Sequence, residues 1–150
     1  DLIGRKTVRD GGATAKAILA QVRATEAELE SAGGGDLAAI RNQLAAGSRA
    51  LEEVVDYIVA NMKSDIKGVF SGSVPYLKMA GIVLCGWQMA RAALIAQKKR
   101  DAGEGDARFY QAKIATARFF ADHLLSQAAG YRAAIVGGSA GVLALAEDQF

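Results

Sequence analysis

The sequence predicts an all-α protein, an up-down antiparallel bundle of four long helices followed by a short C-terminal helical tail. Composition is the first reason: 150 residues hold 31 alanines and a single proline, which favours long helices over strands and turns. Spacing is the second, because apolar residues recur at steps of three and four along separate stretches, the period of one helix face. The third is that the connections are short, which makes consecutive helices antiparallel neighbours. With 51% apolar and 23% charged residues, the chain can bury a sizeable core and is unlike a disordered segment. A single helical domain over residues 1–150 is expected at this length.

The first helix is expected over residues 14–30, with Ile18, Val22, Thr25 and Leu29 on one face. Gly33-Gly34-Gly35 ends it, since glycine loses the most backbone freedom inside a helix. Asp36 then serves as N-cap of the second helix. There Leu37, Leu44, Leu51 and Ile58 recur every seven residues, interleaved by Ile40, Gly47 and Val54, as far as Met62 or Lys63. Residues 64–74, with Gly68, Ser71, Gly72 and Ser73, read as a loop. Pro75 suits the first turn of a third helix, whose expected face is Leu77, Ala80, Leu84, Trp87, Arg91 and Leu94, ending near Lys99. Residues 79–90 are nearly unbroken apolar, but 12 residues between Lys78 and Arg91 fall short of the roughly 20 a membrane span needs. A buried central helix is the expectation. After the charged connection 98–106, a fourth helix presents Tyr110, Ile114, Ala117, Ala121, Leu124 and Ala128. The tail, residues 131–146, reads as a further helix that breaks at Gly137-Gly138, with a second bend at Gly141.

Charge and composition exclude several function classes. A formal charge of +2, from 18 basic and 16 acidic residues, argues against a dedicated nucleic-acid surface. One cysteine, Cys85, precludes an internal disulfide, and one histidine, His123, excludes most zinc frameworks. The chain begins at Asp1, and Asp1 to Lys6 has the pattern of neither a signal peptide nor a transit peptide. It reads as the continuation of a longer chain, with a cytoplasmic location expected.

Each candidate site has a simpler structural explanation. Gly137-Gly138-Ser139-Ala140-Gly141 matches G-x-S-x-G, but that nucleophile elbow needs a preceding strand and a histidine downstream, and His123 lies upstream. A di-metal carboxylate bundle needs Glu-x-x-His on two helices, whereas Phe120 stands three before the sole histidine. The acidic clusters Glu26, Glu28, Glu30 and Glu52, Glu53, Asp56 read as solvated faces. Asp122 and His123 are adjacent and point different ways on a helix. Cys85, in the most apolar stretch, is expected to be buried and inert. Trp87 and Arg91, four apart, suit a cation–π pair, with Trp87 in the core. Lys98-Lys99-Arg100 complements a helix C-terminus. The residues assemble no catalytic, cofactor-binding or metal site.

A family resemblance goes further. Pro75-Tyr76-Leu77, Gly81, Gly86-Trp87, Ala90-Arg91-Ala92-Ala93, Phe109-Tyr110-x-x-Lys113 and Ala117-Arg118-Phe119-Phe120 resemble the C-terminal extension of a subgroup of bacterial acyl-CoA dehydrogenases. That subgroup includes the methylmercaptopropionyl-CoA dehydrogenases. The ending, Gly141-Val142-Leu143-Ala144-Leu145 with an acidic cluster and Phe150, is also similar. Asp1-Leu2-Ile3-Gly4-Arg5-Lys6 resembles the stretch after the family's catalytic glutamate segment, Tyr-Glu-Gly-Thr-x-x-Ile-Gln. The resemblance implies an FAD-dependent parent that converts acyl-CoA to 2,3-enoyl-CoA, with electron-transfer flavoprotein as its usual oxidant and a homo-oligomeric state. The glutamate segment is absent from these residues, so no catalytic residue carries over. The resemblance further implies that residues 1–32 continue the dehydrogenase core and that the isolated chain is inactive and binds no FAD. The alternatives are a stand-alone helical interaction or oligomerisation module, and a peripheral membrane-association domain.

Overall fold

The structure is a computed structural model that describes residues 1–149; Phe150, part of the C-terminal resemblance, lies outside the described residues. Seven α-helices succeed one another: α1 (Ala13–Ala32), α2 (Gly35–Asn61), α3 (Ile66–Ser71), α4 (Ser73–Asp101), α5 (Ala107–His123), α6 (Ala128–Gly137) and α7 (Ser139–Val142). A π-helical turn, Leu2–Thr7, precedes α1, and 3-10 turns occupy Leu125–Gln127 and Glu147–Gln149. No strand occurs among the described residues. The fold is all-α, as alanine content and apolar period predict.

α2 shows most directly how sequence becomes packing. Its seven-residue repeat is buried whole: Leu37, Ile40, Leu44, Gly47, Leu51, Val54 and Ile58 all face inward. α2 and α4 pack against each other, with α1 on one flank and α5 and α6 on the other. Helix directions follow from the side-chain pairs. Lys16 pairs with Asp56, Arg23 with Glu52 and Glu30 with Arg41. Residue numbers rise along α1 as they fall along α2, so the two run antiparallel. Asp36 pairs with Arg118, Gly47 meets Leu125 and Glu53 pairs with Arg132; here the numbers rise together, so the path from α5 through Leu125 to α6 follows α2 in the same direction.

Leu125 is wedged where these layers meet. A Cβ added at Gly47 on α2 or at Gly86 on α4 would stand 2.9 Å from a Leu125 methyl. The two glycines thus make room for a side chain that is 1% exposed. Dense packing of this kind leaves little space for an extra methyl group.

Several expected boundaries shift. Asp36 is not the N-cap of α2: Gly34 holds that position and Asp36 lies in the first turn, where its charge favours the helix dipole. Gly33, Gly34 and Gly35 all have positive φ, so the reversal is a left-handed run that suits glycine. The expected loop at 64–74 contains α3, capped by the Asp65 side chain, which accepts from Gly68 N at 3.0 Å. Six residues are too few for a period to show. The fourth helix ends at His123, and the 3-10 turn after it brings Leu125, rather than Leu124, into the core. The tail breaks between Gly137 and Ser139, as its glycines predict.

The largest difference concerns α4. Its buried face is Tyr76, Met79, Val83, Gly86, Ala90, Ala93 and Ala96, one residue away from the expected Leu77, Ala80, Leu84 face. Small residues win because they let α2 and α5 approach closely, while larger neighbours flank them. α4 also has the length and composition to cross a membrane, yet its buried face commits its whole length to the core. The expected buried central helix is central, packed by α1, α2, α5 and α6, but it is buried on one face only, 33% of its most apolar window.

Candidate functional site

The residues that suggested chemistry are held in structural roles. Ser139 opens α7 after a helix, not a strand, so the nucleophile-elbow geometry is absent there. His123 closes α5, exposed, with its ring 4.6 Å from that of Phe119. The neighbouring Asp122 carboxylate instead accepts from Arg118 Nε at 2.6 Å. Among the described residues, no group of three or more His, Cys, Asp or Glu side chains is placed to hold a metal.

The acidic clusters turn out to bridge helices. Glu26 accepts from Ser48 Oγ at 2.7 Å, Glu30 pairs with Arg41 at 3.0 Å and Glu52 with Arg23 at 2.9 Å. Glu53 meets Arg132, and Asp56 lies 2.7 Å from Lys16. Exposed pairs of this type contribute about 0–1 kcal/mol each, so they align the helices more than they stabilise them. The basic run is similarly local. Lys99 pairs with Glu104 at 2.8 Å, and that hydrogen bond holds the ammonium above its ordinary range and the carboxyl below it.

Trp87 and Arg91 form the expected pair, with the guanidinium 5.5 Å from the ring centroid. The indole N–H, invisible in the sequence pattern, donates to Thr25 Oγ1 at 2.8 Å and ties α4 to α1. Cys85 departs from expectation, because the thiol is exposed. It lies on the side of α4 opposite Met79 and Ala90, and apolar neighbours in sequence do not bury a residue whose helix face looks outward.

That outward face is itself notable. Val74, Leu77, Gly81, Cys85, Gln88, Ala92 and Ile95 are exposed at steps of three and four, a largely apolar stripe flanked by the exposed Lys78 and by Arg91, which donates to Gln88. Leu77 is 60% and Ile95 57% exposed.

A second feature that the sequence did not disclose is an apolar cleft of about 180 Å³ between the π-helical turn, α1, α2 and α4. Ala15 and Ile18 supply one wall, Ala80 and Leu84 another, and Leu51 and Val55 the base. Thr7 and Tyr76 close it with a buried hydrogen bond of 2.8 Å. Thr7 donates its own hydroxyl proton to Leu2 O at 3.0 Å, which leaves Tyr76 as the donor to Thr7. Burial pushes the Tyr76 phenol above its ordinary pKa, against the lowering effect of that bond. A weak signal existed: Leu2 and Ile3 are apolar residues beside Arg5 and Lys6.

Fold and surface together define an all-helical domain with a largely apolar outer face on α4 and an apolar cleft between α1, α2 and α4. The family described as acetyl-CoA dehydrogenase C-terminal like matches residues 18–146, and the chain belongs to it. Similar proteins include the 3-methylmercaptopropionyl-CoA dehydrogenase of Ruegeria pomeroyi, 42% identical over 125 residues, covering 83% of this chain and 21% of the relative. The broad-specificity linear acyl-CoA dehydrogenase FadE5 of Mycobacterium tuberculosis is 34% identical over 137 residues, again covering 83% and 21%. The chain thus spans about a fifth of the length of these relatives.

Proposed function

We propose that this chain is a non-catalytic, C-terminal helical domain of an FAD-dependent acyl-CoA dehydrogenase, and that α4 packs its outer face on the rest of that enzyme. The observation that supports the packing is the largely apolar exposed stripe from Val74 to Ile95, in which Leu77 and Ile95 are more than half exposed. Contiguous apolar surface of this kind marks an interaction site on a soluble protein. Residues 1–32 continue the preceding helical region of the enzyme; the start of the family match at residue 18 supports this for residues 1–17. The parent is a cytoplasmic homo-oligomer reoxidised by electron-transfer flavoprotein.

Flavin in such an enzyme accepts the hydride that leaves the acyl β-carbon. The residues here do not fit it. The cleft between α1, α2 and α4, about 180 Å³, is far smaller than FAD, and its interior between Ala15, Ile18, Ala80 and Leu84 is aliphatic. This domain's contribution is therefore positional: it covers apolar surface and fixes how the catalytic parts sit.

The coding sequence upstream of Asp1 tests the reading directly. An in-frame Tyr-Glu-Gly-Thr segment just before it is expected, and a start codon at that point would remove the dehydrogenase assignment. For the packing, Leu77→Lys with Ile95→Lys in the full-length protein is expected to expose the domain to limited proteolysis. Cleavage identical to the parent protein's would show that the stripe is not the contact.

A further inference from the structure

The cleft has a feature that a packing surface does not need: two uncommitted cations stand at its mouth. Lys6 and Arg9 line it, both are exposed, and neither takes part in a hydrogen bond or ion pair among the described residues. Nearby cations are committed, Arg5 to Asp1 and Lys16 to Asp56. The adjacent acid, Asp10, is held on Gly12 N, Thr14 N and the Thr14 hydroxyl, and Thr14 lines the cleft beside the two cations. Those bonds, the Thr14 hydroxyl foremost, hold its carboxyl below the usual range. Residues 1–16 hold six charged side chains, in which Arg5, Lys6, Arg9 and Lys16 outnumber Asp1 and Asp10, so this segment is net positive.

The interior has the opposite character. Tyr76 and Thr7 spend their hydroxyl protons on each other and on Leu2 O, so a group entering between Ile18 and Leu84 meets aliphatic surface. The turn Leu2–Thr7 supplies both Lys6 and Thr7 to the cleft. The volume, about 180 Å³, equals about six water-sized units of roughly 30 Å³, and a methylene group is of similar size.

We propose that this cleft binds an aliphatic monocarboxylate of about six to eight carbons, its chain between α1 and α4 and its carboxylate between Lys6 and Arg9. The proposal goes beyond the dehydrogenase reading and does not depend on it. Affinity rises about fourfold for each methylene that the cleft can cover and stops rising once the chain outgrows it.

The test uses the full-length protein with a photoreactive diazirine analogue of octanoate, followed by peptide mapping. Saturable labelling in the segments around Leu2–Arg9, Ala15–Leu19 or Ala80–Leu84, displaced by octanoate, is expected. Butanoate should displace much more weakly than octanoate, and dodecanoate no better. Lys6→Gln with Arg9→Gln, both at exposed positions, should weaken octanoate about tenfold and leave 1-octanol unchanged. Ile18→Trp should abolish labelling by filling the cleft. Labelling confined to other segments, equal binding of octanol and octanoate, or indifference to the Lys6 and Arg9 substitutions would each overturn the proposal. Because the readout is the labelled segment, failure here leaves the upstream coding sequence, and hence the dehydrogenase reading, unaffected.

Discussion

Tyr76 shows how much one side chain can join. Its ring is 3% exposed, and its hydroxyl reaches across 69 residues of sequence to Thr7 at 2.8 Å. Tyr76→Phe keeps the ring and removes the donor, so Thr7 Oγ1 loses one partner while retaining Leu2 O. A loss of about 1 kcal/mol is expected in urea unfolding. The phenol's pKa is raised in the folded state by burial. Stability from this group is therefore complete below its unfolded pKa of about 10. It declines as pH rises from there through the folded value, because the unfolded chain releases the proton first. The alkaline limb of the stability profile should accordingly be shallower in Tyr76→Phe. An unchanged limb would show that the buried phenol does not govern it.

Among the elements, α2 and α4 set the architecture through what they lack as much as through what they carry. Gly47 and Gly86 leave space for Leu125 from the following 3-10 turn. Alanine at Gly86 would gain about 1 kcal/mol of helix preference, but it would press a Cβ to 2.9 Å from a fully packed methyl. Overpacking costs about 1–3 kcal/mol, so Gly86→Ala is expected to destabilise the chain. Leu125→Ala alone should cost about 2–5 kcal/mol. In that background, Gly86→Ala should become stabilising, since its obstacle has gone. Chemical unfolding of the four proteins in this cycle measures the coupling. Additive effects would mean that Leu125 does not govern the approach of the two helices.

For the molecule as a whole, every long helix packs on α2 or α4, so no part has a core of its own. Trp87 sits at the α1–α4 junction, bonded to Thr25, and reports on that junction by fluorescence. Unfolding followed by Trp87 and by far-UV dichroism should coincide within error, as a two-state domain requires. A separate, earlier fluorescence transition would reveal α1 as an independently melting unit. The cross-helix ion pairs do not alter that expectation. Most are exposed and each contributes little.

Legibility in the sequence varied from helix to helix for physical reasons. In α2 the apolar residues are large and the opposite face is charged, so Leu37 to Ile58 could be read in their true register. α4 is apolar nearly all round, and period alone cannot then distinguish the Leu77 face from the Met79 face. The same ambiguity placed Cys85 inside when it is exposed. Nor could local pattern foresee the Thr7–Tyr76 bond or the cleft, which join residues far apart in the chain. The amino-acid sequence by itself determined the helical class, the main glycine breaks and the family likeness, because these depend on local preference and residue order. Which side of α4 faces outward, and where a cleft opens with Lys6 and Arg9 at its mouth, was decided only by tertiary structure, because both depend on how closely separate helices can approach.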